Sequence, residues 1–268
     1  MRLRTAALAL LLPLAACGSP DALTQSAVEI LRAAGTKTVE TGSARMEMRS
    51  EGSGFSMTGS GVSALREVKG VMTMTISAAG QSTEMETRLL GDVMYLRMPG
   101  APGGKPWVKF DLDELSTMSG IDLAALSQAR QNDPTQALSY FAGVSDDVRE
   151  DGEEEVRGEK TTRYKATFDL TKARDTEAKA EAKANIDKLI QTLGTSTMPA
   201  TVWIDDAGRM RKMTYELDLS KAPQGLGGGG VMTTTFEMYD FGVEVDVAPP
   251  PANETADGAD LIRQQQGG

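Results

Sequence analysis

The chain has 268 residues, no histidine, one cysteine and a formal charge of −10. The length allows one or two domains and a core that needs no cross-link. Without histidine the chain lacks the commonest general base and the commonest metal ligand, and its acidity disfavours nucleic acid as a partner.

The chain opens with Arg2 and Arg4, an apolar run from Ala6 to Leu14, and then Leu14-Ala15-Ala16-Cys17-Gly18. Charge, apolar run and small residues in that order form a secretory signal. The run is about half of the roughly 20 residues a membrane span requires. Leu-Ala-Ala-Cys fits all four positions of a bacterial lipobox, so Cys17 is the expected lipidation site and the new N-terminus after cleavage. Acylation would use the only thiol. Residues 1–16 are then the signal peptide and 17–23 a lipidated tether.

Apolar residues from Leu23 to Ala34 recur at helical spacing, with Gly35 positioned to close the helix. Alternation follows over Ser43–Ser50, Val68–Ser77, Glu84–Leu90 and Val93–Met98. Between the first two, Gly52–Gly61 is rich in Gly and Ser and reads as a loop or an irregular strand. A Gly/Pro loop at 99–106 leads to a strand over Trp107–Leu112. Short helices are expected over 112–131 and 135–141, and the acidic run Asp146–Glu155 reads as an exposed loop. Val156–Leu170 returns to strand, and Thr171 caps a helix that Gly194 closes. Its second half carries Ile186, Leu189, Ile190 and Leu193 on one stripe, the part expected to be buried. Three strands follow at Ala200–Asp205, Arg209–Leu219 and Val231–Val243, the first two joined by a turn at Asp206-Ala207-Gly208. Residues 248–268 are Pro-rich, then polar, and are expected to be a disordered tail. The order predicts an α+β domain over 24–247 with one large antiparallel sheet and helices on one face.

Methionine is the unusual residue: there are fifteen. Met46, Met48, Met72, Met74, Met85, Met94, Met98, Met213, Met232 and Met238 fall in predicted strands, mostly alternating with polar residues. This pattern fits an ordinary core, and it equally fits an adaptable apolar wall. No cofactor or metal site is expected. The acidic run lacks the spacing of a calcium loop, Gly227–Gly230 lacks the Lys-Ser/Thr of a phosphate loop, and no nucleophile motif stands in a convincing context. Catalysis is therefore not expected.

The lipobox, the N-terminal helix, Val93-Met94-Tyr95-Leu96-Arg97-Met98-Pro99-Gly100 leading to Trp107-Val108-Lys109-Phe110-Asp111, and Thr201-Val202-Trp203-Ile204-Asp205 turning at Gly208 resemble the LppX/LprAFG lipoproteins of actinobacteria. These are similar in fold to the LolA/LolB carriers. The resemblance implies an open half-barrel, a large curved antiparallel sheet with helices over its concave face, and an apolar cavity for acyl chains. The implied role is binding or carrying lipids or lipoglycans. The domain would be held by its lipid anchor on the extracytoplasmic face of the cell membrane and act as a monomer. Met72, Met74, Met85, Met94, Leu96, Met213, Tyr215, Met232, Phe236 and Met238 are the candidate wall. The alternative is a non-catalytic interaction or regulatory lipoprotein of the envelope with no stored ligand.

Overall fold

The computed structural model describes residues 26–112 apart from 53, 98 and 100–103, and residues 147–259 apart from 177–179 and 221–229. The signal peptide, Cys17, the tether and the helices expected over 113–141 lie outside the described residues.

Helix α1 spans Ala27–Glu40. Ser26 starts it with a capping box: its hydroxyl accepts from the Glu29 amide at 3.3 Å, and the Glu29 carboxylate accepts from the Ser26 amide at 2.9 Å. Gly35 does not close the helix. It lies on the buried stripe with Leu31, Ala34 and Thr38, where small residues allow close approach to the sheet. The chain instead leaves the helix through Thr41 and Gly42, whose φ of 84° suits glycine.

The strands are β1 (Ser43–Gly52), β2 (Phe55–Ala64), β3 (Lys69–Ala78), β4 (Gln81–Leu90), β5 (Val93–Arg97), β6 (Trp107–Asp111), β7 (Arg149–Val156), β8 (Glu159–Asp169), β9 (Thr197–Asp205), β10 (Met210–Asp218), β11 (Val231–Tyr239) and β12 (Thr255–Asp257). Helices α2 (Leu170–Thr176) and α3 (Ala180–Leu193) lie between β8 and β9. Among the described residues the strands form one open sheet in the order β12-β6-β5-β4-β3-β2-β1-β11-β10-β9-β8-β7. Two antiparallel meanders, β1–β6 and β7–β11, therefore meet where β1 pairs with β11. This is the expected open α+β half-barrel.

Of the two readings left open for the Gly/Ser stretch, the strand holds from Phe55: β2 pairs with β1 over Phe55–Ala64 and with β3 over Phe55–Ser63, because backbone bonding from two neighbours needs no large side chains. Two further readings of the sequence are corrected. The acidic run is an edge strand from Arg149 onward. Its carboxylates meet cations on β8: Asp151 bonds Arg163 at 3.0 Å and Lys165 at 3.1 Å, and Glu153 bonds Lys160 at 2.7 Å. Opposite charges across a ladder favour pairing, and a charged edge discourages a second chain. The tail is ordered as far as it is described. Pro250 is buried, β12 pairs in parallel with β6, and Lys105 Nζ donates to the Thr255 carbonyl at 2.9 Å. An open sheet edge recruits backbone whatever the side chains. Residues 260–268 lie outside the described residues.

The core lies under α1. Leu31 and Ala34 pack on Ala44, Tyr164, Ala166, Phe168, Ala200, Val202, Ile204, Met210 and Met238, so it is built over β1 and β8–β11. Helix α3 contributes less than its stripe suggested: Ile186, Ile190 and Leu193 are half-buried, and Leu189 is 37% exposed.

Candidate functional site: the methionine face of the sheet

Residues paired across a ladder share a face, so the register traces one apolar surface across the sheet. On the first meander it runs through Met46 and Met48, Gly61 and Gly59, Met72 and Met74, then Thr87 and Met85. Leu96 pairs with Thr87 and Val108, and Met94 with Leu89 and Phe110. Across the junction Met46 meets Met238 and Met48 meets Phe236. Phe236 then meets Met213, Thr234 meets Tyr215, and Met232 meets Leu217. All ten candidate wall residues therefore lie on this face.

Most of the face is half-buried, and it adjoins the core at one place. Met238 is 8% exposed and belongs to the core, and Met213 and Tyr215 pack against that core. Tyr215 stacks on Phe236 with ring centroids 6.2 Å apart. On β2–β5, Met57, Met72, Met74, Met85, Met94 and Leu96 are all half-buried. The candidate wall omitted Met48 and Met57. Alternation of Ser56, Thr58 and Ser60 with Met57, Gly59 and Gly61 was the available signal for β2 and its methionine.

Glycines form a floor within this face. A Cβ on Gly59 would lie 3.2 Å from Met74 Cγ and 3.6 Å from Met72 Sδ. On Gly61 it would lie 2.1 Å from the Val71 carbonyl oxygen, which excludes any side chain there. The result is a trough along β2, with Met46 and Met48 on one side and Met72 and Met74 on the other.

The opposite face is polar. A groove of about 580 Å³ is lined by Glu47, Thr58, Ser60, Thr73, Thr75, Thr235 and Glu237, with Arg157 at one end. Glu47 and Glu237 pair directly across β1 and β11, where like charges repel. Arg157, at the β7–β8 turn, offsets this by donating to both carboxylates, at 2.6 Å for Glu237. Its guanidinium also lies 3.9 Å from the centroid of Tyr239. The Tyr239 hydroxyl, donating to Glu47 at 2.8 Å, and Arg157 hold the Glu47 carboxyl below its ordinary pKa.

Among the described residues, neither face carries a recognisable catalytic constellation. Among the described residues, no group of three or more His, Cys, Asp or Glu could hold a metal ion. No described helix is long and apolar enough to cross a membrane.

No family model matches the chain. A candidate lipoprotein of Streptomyces coelicolor is 28% identical over 261 residues, covering 91% of this chain and 79% of its own length. An uncharacterised 31.2 kDa protein of Streptomyces griseus, from the rplA–rplJ intergenic region, is 26% identical over 234 residues, covering 85% and 74%. Two crystal structures are similar in outline. The lipoprotein LppX of Mycobacterium tuberculosis has a TM-score of 0.47 at 16% identity, covering 81% of this chain and 99% of that one. LprF of Mycobacterium bovis has a TM-score of 0.47 at 15% identity, covering 84% and 97%. The expected likeness to the LppX/LprAFG lipoproteins is thus found.

Proposed function

We propose that this chain is a lipoprotein, anchored through Cys17 on the extracytoplasmic face of the cell membrane, whose methionine face binds acyl chains of lipids or lipoglycans. The observation that carries this reading is one continuous apolar face that is largely left half-buried. Met238 on β11 is core beneath α1, whereas the methionines of β1–β5 stay half-buried. Methionine suits a wall that must fit chains of varied shape, because it is unbranched, polarisable and flexible. Each CH₂ moved from water contributes about 0.8 kcal/mol, so a long chain can be held without a specific polar contact. The lipobox supports the anchor, and so does the name of the Streptomyces coelicolor relative, a candidate lipoprotein.

Photolabelling tests this reading. Membranes holding the full chain are incubated with a diazirine fatty acid, irradiated, and the labelled peptides mapped. The expected labels fall on β2–β5 and are competed away by unlabelled fatty acid. Absence of competed labelling in the domain would overturn the reading.

A further inference from the structure

The thioether of methionine is a soft, neutral donor, and soft sulfur ligands select Cu(I) over hard cations. In most proteins this is irrelevant because methionines are scattered through a core. Here three of them surround one glycine. Met48 on β1 pairs with Gly59, and Gly59 pairs with Met74 on β3. The Met72 sulfur and Met74 Cγ both approach the position of the missing Gly59 Cβ, at 3.6 and 3.2 Å. Both β3 side chains thus lean over the glycine from one side, while Met48 stands on the other. Strand spacing puts the Met48 and Met74 backbones roughly 10 Å apart, a gap that two unbranched side chains can narrow from opposite sides. A larger residue in place of Gly59 would press on Met74 Cγ and the Met72 sulfur.

We propose that Met48, Met72 and Met74 form a thioether site above Gly59 for a soft monovalent cation, Cu(I) or its redox-inert analogue Ag(I). All three residues are half-buried, so an ion can reach them and then shed water against apolar neighbours. Thioethers do not titrate, so the site holds its ion without releasing protons. Sequence reasoning weighed metal sites only through His, Cys and carboxylates, and so passed over this one. The proposal does not depend on the lipid reading: it needs sulfur, whereas acyl binding needs only apolar surface.

That difference supplies the test. Leu for Met conserves apolar volume and removes the sulfur. The full chain, labelled with ¹³C at its methionine methyls, is titrated anaerobically with Ag(I) in detergent and followed by NMR. Cu(I) affinity is measured against a chromophoric Cu(I) chelator. The methyls of Met48, Met72 and Met74 are expected to shift together, ahead of the other methionines. The combined Met48→Leu, Met72→Leu, Met74→Leu variant is expected to bind Cu(I) at least about tenfold more weakly while keeping the cooperative melt of the wild type. Uniform shifts across all methionines, no shift at these three, or unaltered affinity in a folded triple variant would each overturn the site. Should the triple variant not fold, the order of methyl shifts in the wild type decides. A wild-type chain that binds Ag(I) at these methionines but takes no competed fatty-acid label would count against the lipid reading alone.

Discussion

The backbone amide of Met210 donates a 2.9 Å hydrogen bond to the hydroxyl of Thr38, and both groups are buried. The Thr38 hydroxyl in turn donates to the Ala34 carbonyl at 2.7 Å. A register shift between Met210 and Lys212 accompanies this bond in β10, and α1 is thereby pinned to β10. Thr38→Val would keep the shape and leave a buried N–H unpaired, which costs about 1–3 kcal/mol. Denaturant unfolding measures this. A variant as stable as the wild type would mean that the amide has another partner.

The buried carboxylate of Asp205 sits near the same helix. It accepts from Arg209 Nε and Arg211 Nε, each at 2.9 Å, and from the Arg209 amide at 2.9 Å. Burial alone would raise its pKa; the bonds from Arg209 and Arg211 outweigh that and hold it below the ordinary value. A depressed folded pKa contributes stability above the unfolded pKa of about 3.9 and loses it as pH falls through the folded value. Asp205→Asn leaves the buried Arg211 guanidinium paired only with the exposed Glu159, at 3.2 Å, and is expected to cost about 3 kcal/mol at neutral pH. The gap between variant and wild type should narrow only as pH falls below the ordinary carboxylate range. A gap that stays constant down to strongly acidic pH would refute the assignment.

Deletion of residues 248–268 is expected to destabilise the domain by about 1–3 kcal/mol, as for loss of packed structure. Arg88 donates to the Ala248 carbonyl at 3.0 Å, and β12 covers the β6 edge. Gly258 is buried so closely that an added Cβ would lie 2.2 Å from Phe110 Cδ1. Gly258→Val should therefore act in the same direction. Hydrogen exchange at the amides of β6 should quicken in both variants, and protection equal to the wild type would count against this role for the tail.

Much of the fold is legible in the sequence because strands such as β3 and β8 alternate cleanly. Strand β2 is not, because Gly59 and Gly61 dilute its apolar period while its neighbours supply the ladder. Strand β7 is hidden by its carboxylates, since their cationic partners on β8 are distant in local pattern. Strand β12 is hidden because an open edge, not its own residues, recruits it. The site divides in the same way. Alternation places Met74 and Met213 on one face, but only the position of α1 decides that Met213 adjoins core and Met74 does not.

The anchor has its own test. Cys17→Ser removes the acceptor thiol, so the variant should remain unprocessed after Ala16 and carry no lipid. Intact mass spectrometry of the membrane fraction reads both. A mature, lipid-bearing mass in the variant would move the anchor elsewhere.

Met74→Trp separates wall from core. Met74 is half-buried, pairs with Met85, and overhangs Gly59. A larger ring there should fill the trough along β2 while leaving the packing beneath α1 untouched. Fatty-acid photolabelling is expected to fall several-fold with little change in melting temperature. Met213→Trp is the contrast. Its side chain packs against the cluster containing Val202 and Phe168, and an overfilled core typically costs about 1–3 kcal/mol. That variant should melt earlier and label in proportion to what remains folded. If Met74→Trp labelled like the wild type, the acyl chain would not lie over β2 and β3. If Met213→Trp lost labelling at full stability, the binding surface would extend across the β1–β11 junction, and the division of the face into core and wall would be wrong.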